Sequence, residues 1–139
     1  MAKTFLYRFF GAGRIPERLA AELKREGLLL WDEGIPGSVT YLDFRASGRY
    51  SNWRRQWYTA AIALTAVRLV ALRHSSPVID VALTDERRRR LRISLEADDA
   101  LLVAFDAALF HDNWSGTIEY RFRTPQARHF LSKLQEPAA

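Results

Sequence analysis

Residues 45–58 combine arginine with aromatic side chains and are the part of this sequence best suited to bind a ligand. Arginine contacts phosphates through paired hydrogen bonds, and tryptophan stacks on bases or lies at a membrane interface. The composition therefore predicts a loop that binds an anionic ligand. Its candidate binding residues are Arg45, Arg49, Trp53, Arg54, Arg55 and Trp57. In the alternative interpretation, Trp53 and Trp57 cover one end of the core and the arginines are only solvated.

A second basic segment, residues 87–92, holds five arginines around Leu91. If Leu91 faces inward from a strand, alternate arginines share the outer face of that strand. These arginines are Arg88, Arg90 and Arg92. Like charges at this spacing repel one another modestly and favour an anionic neighbour, for which the acidic residues 93–119 of the same chain or of a second copy are candidates. The alternative is a solvated strand face with internal ion pairs.

The charges are unevenly distributed along the chain, although the net charge is only +5. Residues 45–92 carry eleven arginines against three acidic side chains, whereas residues 93–119 carry six acidic side chains and no lysine or arginine. One interpretation is that the two segments lie near each other in the fold, because charge patterns usually mark solvated faces. The other is that the basic segment is a surface for an anionic partner.

The residue combinations that perform catalysis are absent or isolated. A loop histidine such as that of His111-Asp112 is more often solvated than catalytic or metal-binding. Gly11-Ala12-Gly13 lacks the third glycine of a dinucleotide-binding loop, and neither a Gly-Lys-Ser/Thr phosphate loop nor a Gly-x-Ser-x-Gly elbow is present. The absence of cysteine excludes thiol nucleophiles and cysteine zinc sites. The sequence therefore predicts a protein that is not an enzyme and uses neither a cofactor nor a metal ion.

The bulk composition is that of one globular domain. The 139 residues are 48% hydrophobic and 27% charged, which is enough to bury a core within a single domain, residues 1–139. No apolar run approaches the roughly 18 residues that span a bilayer. The first residues contain too short an apolar stretch for a signal peptide, because Arg8 interrupts it. We therefore expect a cytoplasmic protein without a transmembrane segment.

The chain ends in a strand followed by a helix. In residues 117–123, apolar side chains alternate with polar ones, which is the pattern of a half-buried strand. Thr124 suits the N-cap of a helix, and Pro125 suits its first position. The apolar stripe of this helix is Ala127, Phe130, Leu131 and Leu134. The pattern predicts a C-terminal helix that packs on the sheet.

Short strands and one further helix are predicted for the rest of the chain. A helix is predicted at residues 16–26, with Gly27 at the position after its end. The apolar stripe of this helix is Ile15, Leu19 and Leu23. The predicted strands are residues 28–31, 38–45, 77–83, 91–95 and 100–105. Residues 5–10 are either an opening strand or a segment packed over the core.

The middle of the chain is harder to interpret. Glycine, proline and polar residues predict loops at residues 32–37 and 46–52. Residues 58–73 contain alanines that allow a helix and β-branched residues that favour strands. We favour two strands that are joined near residues 65–67.

The strand succession, the closing helix and one local motif resemble the pleckstrin-homology-like superfold in its bacterial and GRAM-like versions. The motif is Leu64-Thr65-Ala66-Val67-Arg68-Leu69, followed at once by the apolar residues 70–72. The resemblance covers residues 28–136 and leaves residues 1–27 as an N-terminal strand and helix extension. It implies an α+β fold, a pleckstrin-homology-like antiparallel β-barrel closed by a C-terminal helix, with an extra N-terminal helix. Where relatives usually have a polar turn pair, this chain has Ala66-Val67.

The resemblance also implies a class of function. Members of the superfold are mostly non-catalytic modules that bind lipid headgroups, peptides or copies of themselves. Together with residues 45–58, this favours a non-catalytic binding module for an anionic lipid surface or a protein segment. Single-stranded nucleic-acid binding is an alternative, less favoured because the net charge is modest and no nucleic-acid motif is present. Self-association through exposed sheet edges, which would give a homo-oligomer, is a further alternative.

Overall fold

The computed structural model describes residues 14–46 and 48–135. These residues form a seven-stranded antiparallel sheet, with one helix before the first strand and another after the last strand. The elements in chain order are α1 (Glu17–Arg25), β1 (Leu28–Ala46), β2 (Arg49–Thr65), β3 (Arg68–Arg73), β4 (Ser76–Ala82), α2 (Glu86–Arg89), β5 (Arg92–Ala97), β6 (Ala100–Asp106), a 3₁₀ turn (Ala107–Leu109), β7 (Ser115–Arg123) and α3 (Ala127–Gln135). The predictions for residues 5–10 and for Gly11-Ala12-Gly13 lie outside the described residues.

The strands lie in the order β4-β3-β2-β1-β7-β6-β5, and each neighbouring pair is antiparallel. The connection that contains α2 leads from β4, at one edge, to β5, at the other. In the described chain these two edge strands do not pair, so the sheet is open and the predicted closed barrel is not formed. The predicted α+β class and the helices at both ends are confirmed.

The C-terminal helix packs on the main core as predicted. Phe122 of β7 and Phe130 of α3 are fully buried in the cluster that joins the strands to this helix. The Thr124 hydroxyl accepts a hydrogen bond from the Gln126 N–H at 3.1 Å, which confirms Thr124 as the cap of α3. The same hydroxyl donates to the buried Asp32 carboxylate at 2.7 Å and thereby ties the start of α3 to β1.

The N-terminal helix covers the opposite face of β2 and β3. Leu23 of α1 is buried together with Ala61 and Ala63 of β2, whereas their neighbour Ile62 faces the main core. Because successive residues of a strand point to opposite faces, this part of β2 is buried on both sides. Double burial explains why residues 58–65 show no alternation of apolar and polar side chains.

The hairpin between β2 and β3 turns through Ala66 and Val67, as predicted. The Thr65 hydroxyl accepts hydrogen bonds from the N–H groups of Val67 at 3.1 Å and Arg68 at 3.0 Å. The Ala66 N–H donates to the Gly27 carbonyl at 3.0 Å. Thr65 and the backbone after α1 therefore supply the hydrogen bonds that the apolar turn pair cannot make with its own side chains.

Two predicted loops are wrong, because both segments belong to one long hairpin. Residues 32–37 lie within β1, where a register shift between Glu33 and Ile35 and a positive φ of 69° at Gly34 accommodate the irregular sequence. Most of residues 46–52 also lie in strands, since Ala46 is already the register partner of Arg49. Pairing with neighbouring strands overrides the local turn signals in both places.

The prediction of a common strand face for Arg88, Arg90 and Arg92 is wrong. Residues 86–89 form the short helix α2, and only Arg92 lies in β5. The helix begins there because the Asp85 carboxylate accepts a hydrogen bond from the Arg87 N–H at 2.8 Å, which is the contact of an N-cap.

Candidate functional site

The hairpin of β1 and β2 extends well beyond the end of β3, the strand that pairs with β2. β2 pairs with β3 only through residues 60–64, whereas its pairing with β1 continues to Arg49. On the other side, β7 supports β1 as far as the pair of Arg45 with Ser115. Residues 45–46 and 49–58, predicted as part of a loop, therefore lie in two paired strands. The paired backbone holds their side chains on two opposite faces.

A close contact between β7 and β1 sets the course of this hairpin. Asp43 has φ of 47°, and Gly116 opposite it has φ of 100°. A Cβ atom on Gly116 would lie only 2.4 Å from the Asp43 carbonyl oxygen. Only glycine fits both the conformation and the contact. The resulting irregularity keeps Phe44, beyond it, facing the core.

One face of the hairpin forms a groove, which we call the inner groove. Its volume is about 450 Å³. It is lined by Tyr41, Phe44, Ala46, Arg49, Ser51, Arg54, Gln56, Arg73 and Trp114. Its aromatic wall is continuous, because the Phe44 ring centre lies 4.8 Å from that of Tyr41 and 5.2 Å from that of Trp114.

Three arginines give the inner groove its charge. Arg49 and Arg54 come from β2, and Arg73 comes from the end of β3. Among the described residues none of these guanidinium groups forms an ion pair, and no carboxylate lines the groove. Arg73 lies 5.3 Å from the centre of the Tyr58 ring, a cation–π distance. The groove therefore combines an aromatic wall with uncompensated positive charge, which suits an anion.

The other face of the hairpin carries a row of aromatic and arginine side chains, which we call the outer ladder. It consists of Arg45, Tyr50, Trp53, Arg55 and Trp57. The Arg55 guanidinium lies 5.5 Å from the Trp53 ring centre and 5.7 Å from that of Trp57. Trp53 and Trp57 are 61% and 72% exposed. These two rings therefore face solvent and do not cover the core.

The predicted surface is thus divided between two faces. The outer ladder holds Arg45, Trp53, Arg55 and Trp57, whereas Arg49 and Arg54 line the inner groove. The groove residues Tyr41, Phe44, Arg73 and Trp114 lie outside residues 45–58 and were not among the predicted binding residues. Arg73 and Trp114 lie on or beside other strands, so only the strand pairing brings them to the hairpin.

The second basic segment does not join the hairpin. Arg88 donates a hydrogen bond to the Leu134 carbonyl in the last turn of α3, where a positive charge complements the helix dipole. Burial lowers the pKa of Arg88 below its usual value. Arg90 and Arg92 are exposed and make no ion pair with other described residues. These arginines do not form one site, and Arg88 has a structural role.

The described residues offer no arrangement for metal binding. No three histidine, cysteine, aspartate or glutamate side chains within residues 14–46 and 48–135 converge to hold a metal ion. His111, the histidine of the predicted His-Asp pair, has its ring centre 3.7 Å from that of Trp114 and stacks on it. None of the helices in this part of the chain is long and apolar enough to cross a membrane.

Comparison with protein-family models and with curated proteins finds no match to this chain. The inner groove and the outer ladder are therefore the features of the chain that indicate a function.

Proposed function

We propose that the chain is a non-catalytic binding module, related to the pleckstrin-homology-like superfold, that binds an anionic lipid surface through the hairpin of β1 and β2. The support for this relationship is the succession of strands closed by a C-terminal helix, which is one of the features on which the sequence resemblance rests. The observation that carries the function is the charge of the inner groove, where Arg49, Arg54 and Arg73 have no carboxylate partner among the described residues. No catalytic group, cofactor or metal ion takes part in this proposal.

The two faces of the hairpin have complementary roles in lipid binding. In the inner groove, guanidinium groups donate paired hydrogen bonds to phosphate oxygens of the headgroups. On the outer ladder, Trp53 and Trp57 lie at the level of the headgroups, where indole rings are favoured. The cytoplasmic leaflet carries anionic lipids and faces the cytoplasm. We therefore propose that the protein is cytoplasmic and binds this leaflet.

Co-sedimentation with liposomes tests this function. We expect binding to anionic liposomes that persists at physiological salt, and no binding to neutral liposomes. Replacing Arg49, Arg54 and Arg73 together by serine should weaken binding by about tenfold or more, because each neutralised contact with an anionic surface is worth about 1 kcal/mol. The matched control replaces the exposed Arg89, Arg90 and Arg92 by serine and removes the same charge elsewhere.

The control distinguishes binding in the inner groove from a general attraction between positive charge and the membrane. If the two triple variants lose binding equally, the inner groove has no special role and the proposal is wrong. Absence of binding to anionic liposomes by the unmodified chain contradicts it as well.

Single-stranded nucleic acid is the second candidate ligand, favoured by the outer ladder. Two exposed indoles with an arginine between them suit base stacking with a phosphate contact. Fluorescence anisotropy with a labelled oligothymidine tests this alternative. Replacing Trp53 and Trp57 by alanine should then abolish binding, and affinity should fall steeply with salt. Tight oligothymidine binding without liposome binding would replace the lipid proposal.

A further inference from the structure

Among the described residues, no strand pairs with the outer edge of β2 beyond the end of β3. The Thr59 carbonyl accepts a hydrogen bond from the His74 N–H at 2.8 Å, close to the point where β3 ends. Backbone groups of alternate residues point to the same side of a strand. The N–H and C=O groups of Trp57, Arg55 and Trp53 therefore point away from β1. Within the described residues no strand lies there to receive them.

The charge of this edge limits what can pair with it. β2 contains no aspartate or glutamate. Arg49, Arg54 and Arg55 all lie in the part of β2 that pairs with β1 but not with β3. A second copy of the chain would bring the same positive strand, and like charges across a strand pair are unfavourable. Positive side chains commonly protect an edge from pairing with identical edges. They do not oppose a strand of the opposite charge.

We propose that an extended acidic segment of a partner protein adds to β2 as a further strand alongside residues 53–57. The backbone of this segment pairs with the outward groups of Trp53, Arg55 and Trp57. Its carboxylates lie beside Arg55 on the outer face and beside Arg54 on the inner face. Strand addition of this kind obtains affinity from main-chain hydrogen bonds and specificity from neighbouring side chains. The inference is independent of lipid binding.

The probe for this edge is a synthetic peptide of about ten residues that alternates valine and glutamate, a length and pattern suited to a strand. Amide hydrogen exchange of the protein, followed residue by residue by NMR, measures the effect. We expect the amides of Trp53, Arg55 and Trp57 to exchange at least about tenfold more slowly with the peptide bound, because they become hydrogen-bonded. A peptide that alternates valine and lysine should give no protection.

A second peptide separates strand pairing from charge attraction. It has the same sequence and charge as the valine–glutamate peptide, but its central backbone amides are N-methylated and cannot form a ladder on either edge. We expect this peptide to bind at least about tenfold more weakly, since several main-chain hydrogen bonds are lost. Equal affinity of the two peptides would overturn the proposal and indicate charge attraction alone.

Charge reversal on the protein gives an independent check. Arg54→Glu and Arg55→Glu together should transfer the preference to the valine–lysine peptide while the backbone edge stays the same. Failure of this transfer would contradict the role of the two arginines. If the same amides become protected without peptide as the protein concentration rises, the edge pairs with a second copy and the acidic-partner proposal is wrong.

Discussion

At the scale of single residues, Thr40 organises the outer ladder although it is almost fully buried. Its hydroxyl oxygen accepts hydrogen bonds from Arg55 Nε at 2.9 Å and from Arg121 Nη1 at 3.2 Å, which uses both of its lone pairs. Arg121 is itself held by carboxylates, with 2.8 Å to Glu96 and 3.1 Å to Glu119. These contacts fix Arg55 between its two tryptophans before any ligand arrives.

The buried tyrosines make the free energy of unfolding decrease at alkaline pH. Burial, and secondly the neighbouring Tyr120, raise the pKa of Tyr58 well above the usual tyrosine value of 10.0. The unfolded chain loses this proton first, so stability is complete below about pH 10 and falls as the pH rises further. Each such tyrosine lowers the free energy of unfolding by about 1.4 kcal/mol per pH unit in that range.

Tyr58→Phe should therefore reduce the slope of stability against pH above about pH 10. Urea unfolding at a series of alkaline pH values measures this slope. The variant Tyr50→Phe, which removes a hydroxyl from an exposed ring, is the control. Identical slopes for Tyr58→Phe and the unmodified chain would contradict the prediction.

At the scale of elements, the sequence predicted best those segments whose signals are local. The helices at both ends have apolar stripes and end signals, and both were found within a residue or two. The β1 arm of the hairpin was predicted as a strand at residues 38–45, whereas the β2 arm, residues 49–57, was missed because it carries polar and charged residues on both faces. Such strands lack the alternation that burial of one face produces. Arg73 and Trp114 of the inner groove were missed for another reason, because only the pairing of separate strands brings them to the hairpin.

The turn between β2 and β3 gives a prediction at this scale. Thr65→Val should destabilise the fold by about 1–2 kcal/mol, because the Val67 and Arg68 N–H groups lose their acceptor. Thr65→Ser keeps the hydroxyl and should cost clearly less. Chemical denaturation of the two variants measures the difference. A Thr65→Val variant as stable as the unmodified chain, or no less stable than Thr65→Ser, would contradict the role of the hydroxyl.

At the scale of the whole molecule, the sheet order could not be predicted from the residues. β1 pairs with β7, which is far from it in sequence, and no local pattern encodes that contact. Arg68 makes a comparable long-range connection, because it binds Glu22 and Glu26 near α1 and Asp80 in β4. The hydrogen bond to Glu26 is the main cause that raises the pKa of Arg68.

Arg68→Ala should lower the free energy of unfolding by about 2 kcal/mol, because its side chain is only 18% exposed and makes charged hydrogen bonds. Arg128→Ala is the matched control, since Arg128 pairs with Asp98 where both side chains are largely exposed. That pair should contribute less than about 0.5 kcal/mol. Thermal and urea unfolding of the two variants compare them, and similar losses would contradict the importance of the Arg68 cluster.

The positions of the tryptophans give the unmodified chain an intrinsic optical reporter. Of its four indoles, Trp53 and Trp57 lie in water on the outer ladder, and Trp114 forms part of the groove wall. A membrane or an added strand that covers Trp53 and Trp57 will shift their emission to shorter wavelengths and protect them from a soluble quencher. A small anion in the inner groove will instead act mainly on Trp114. Fluorescence of the native protein can therefore distinguish a ligand that covers the outer ladder from an anion in the inner groove, without an attached dye.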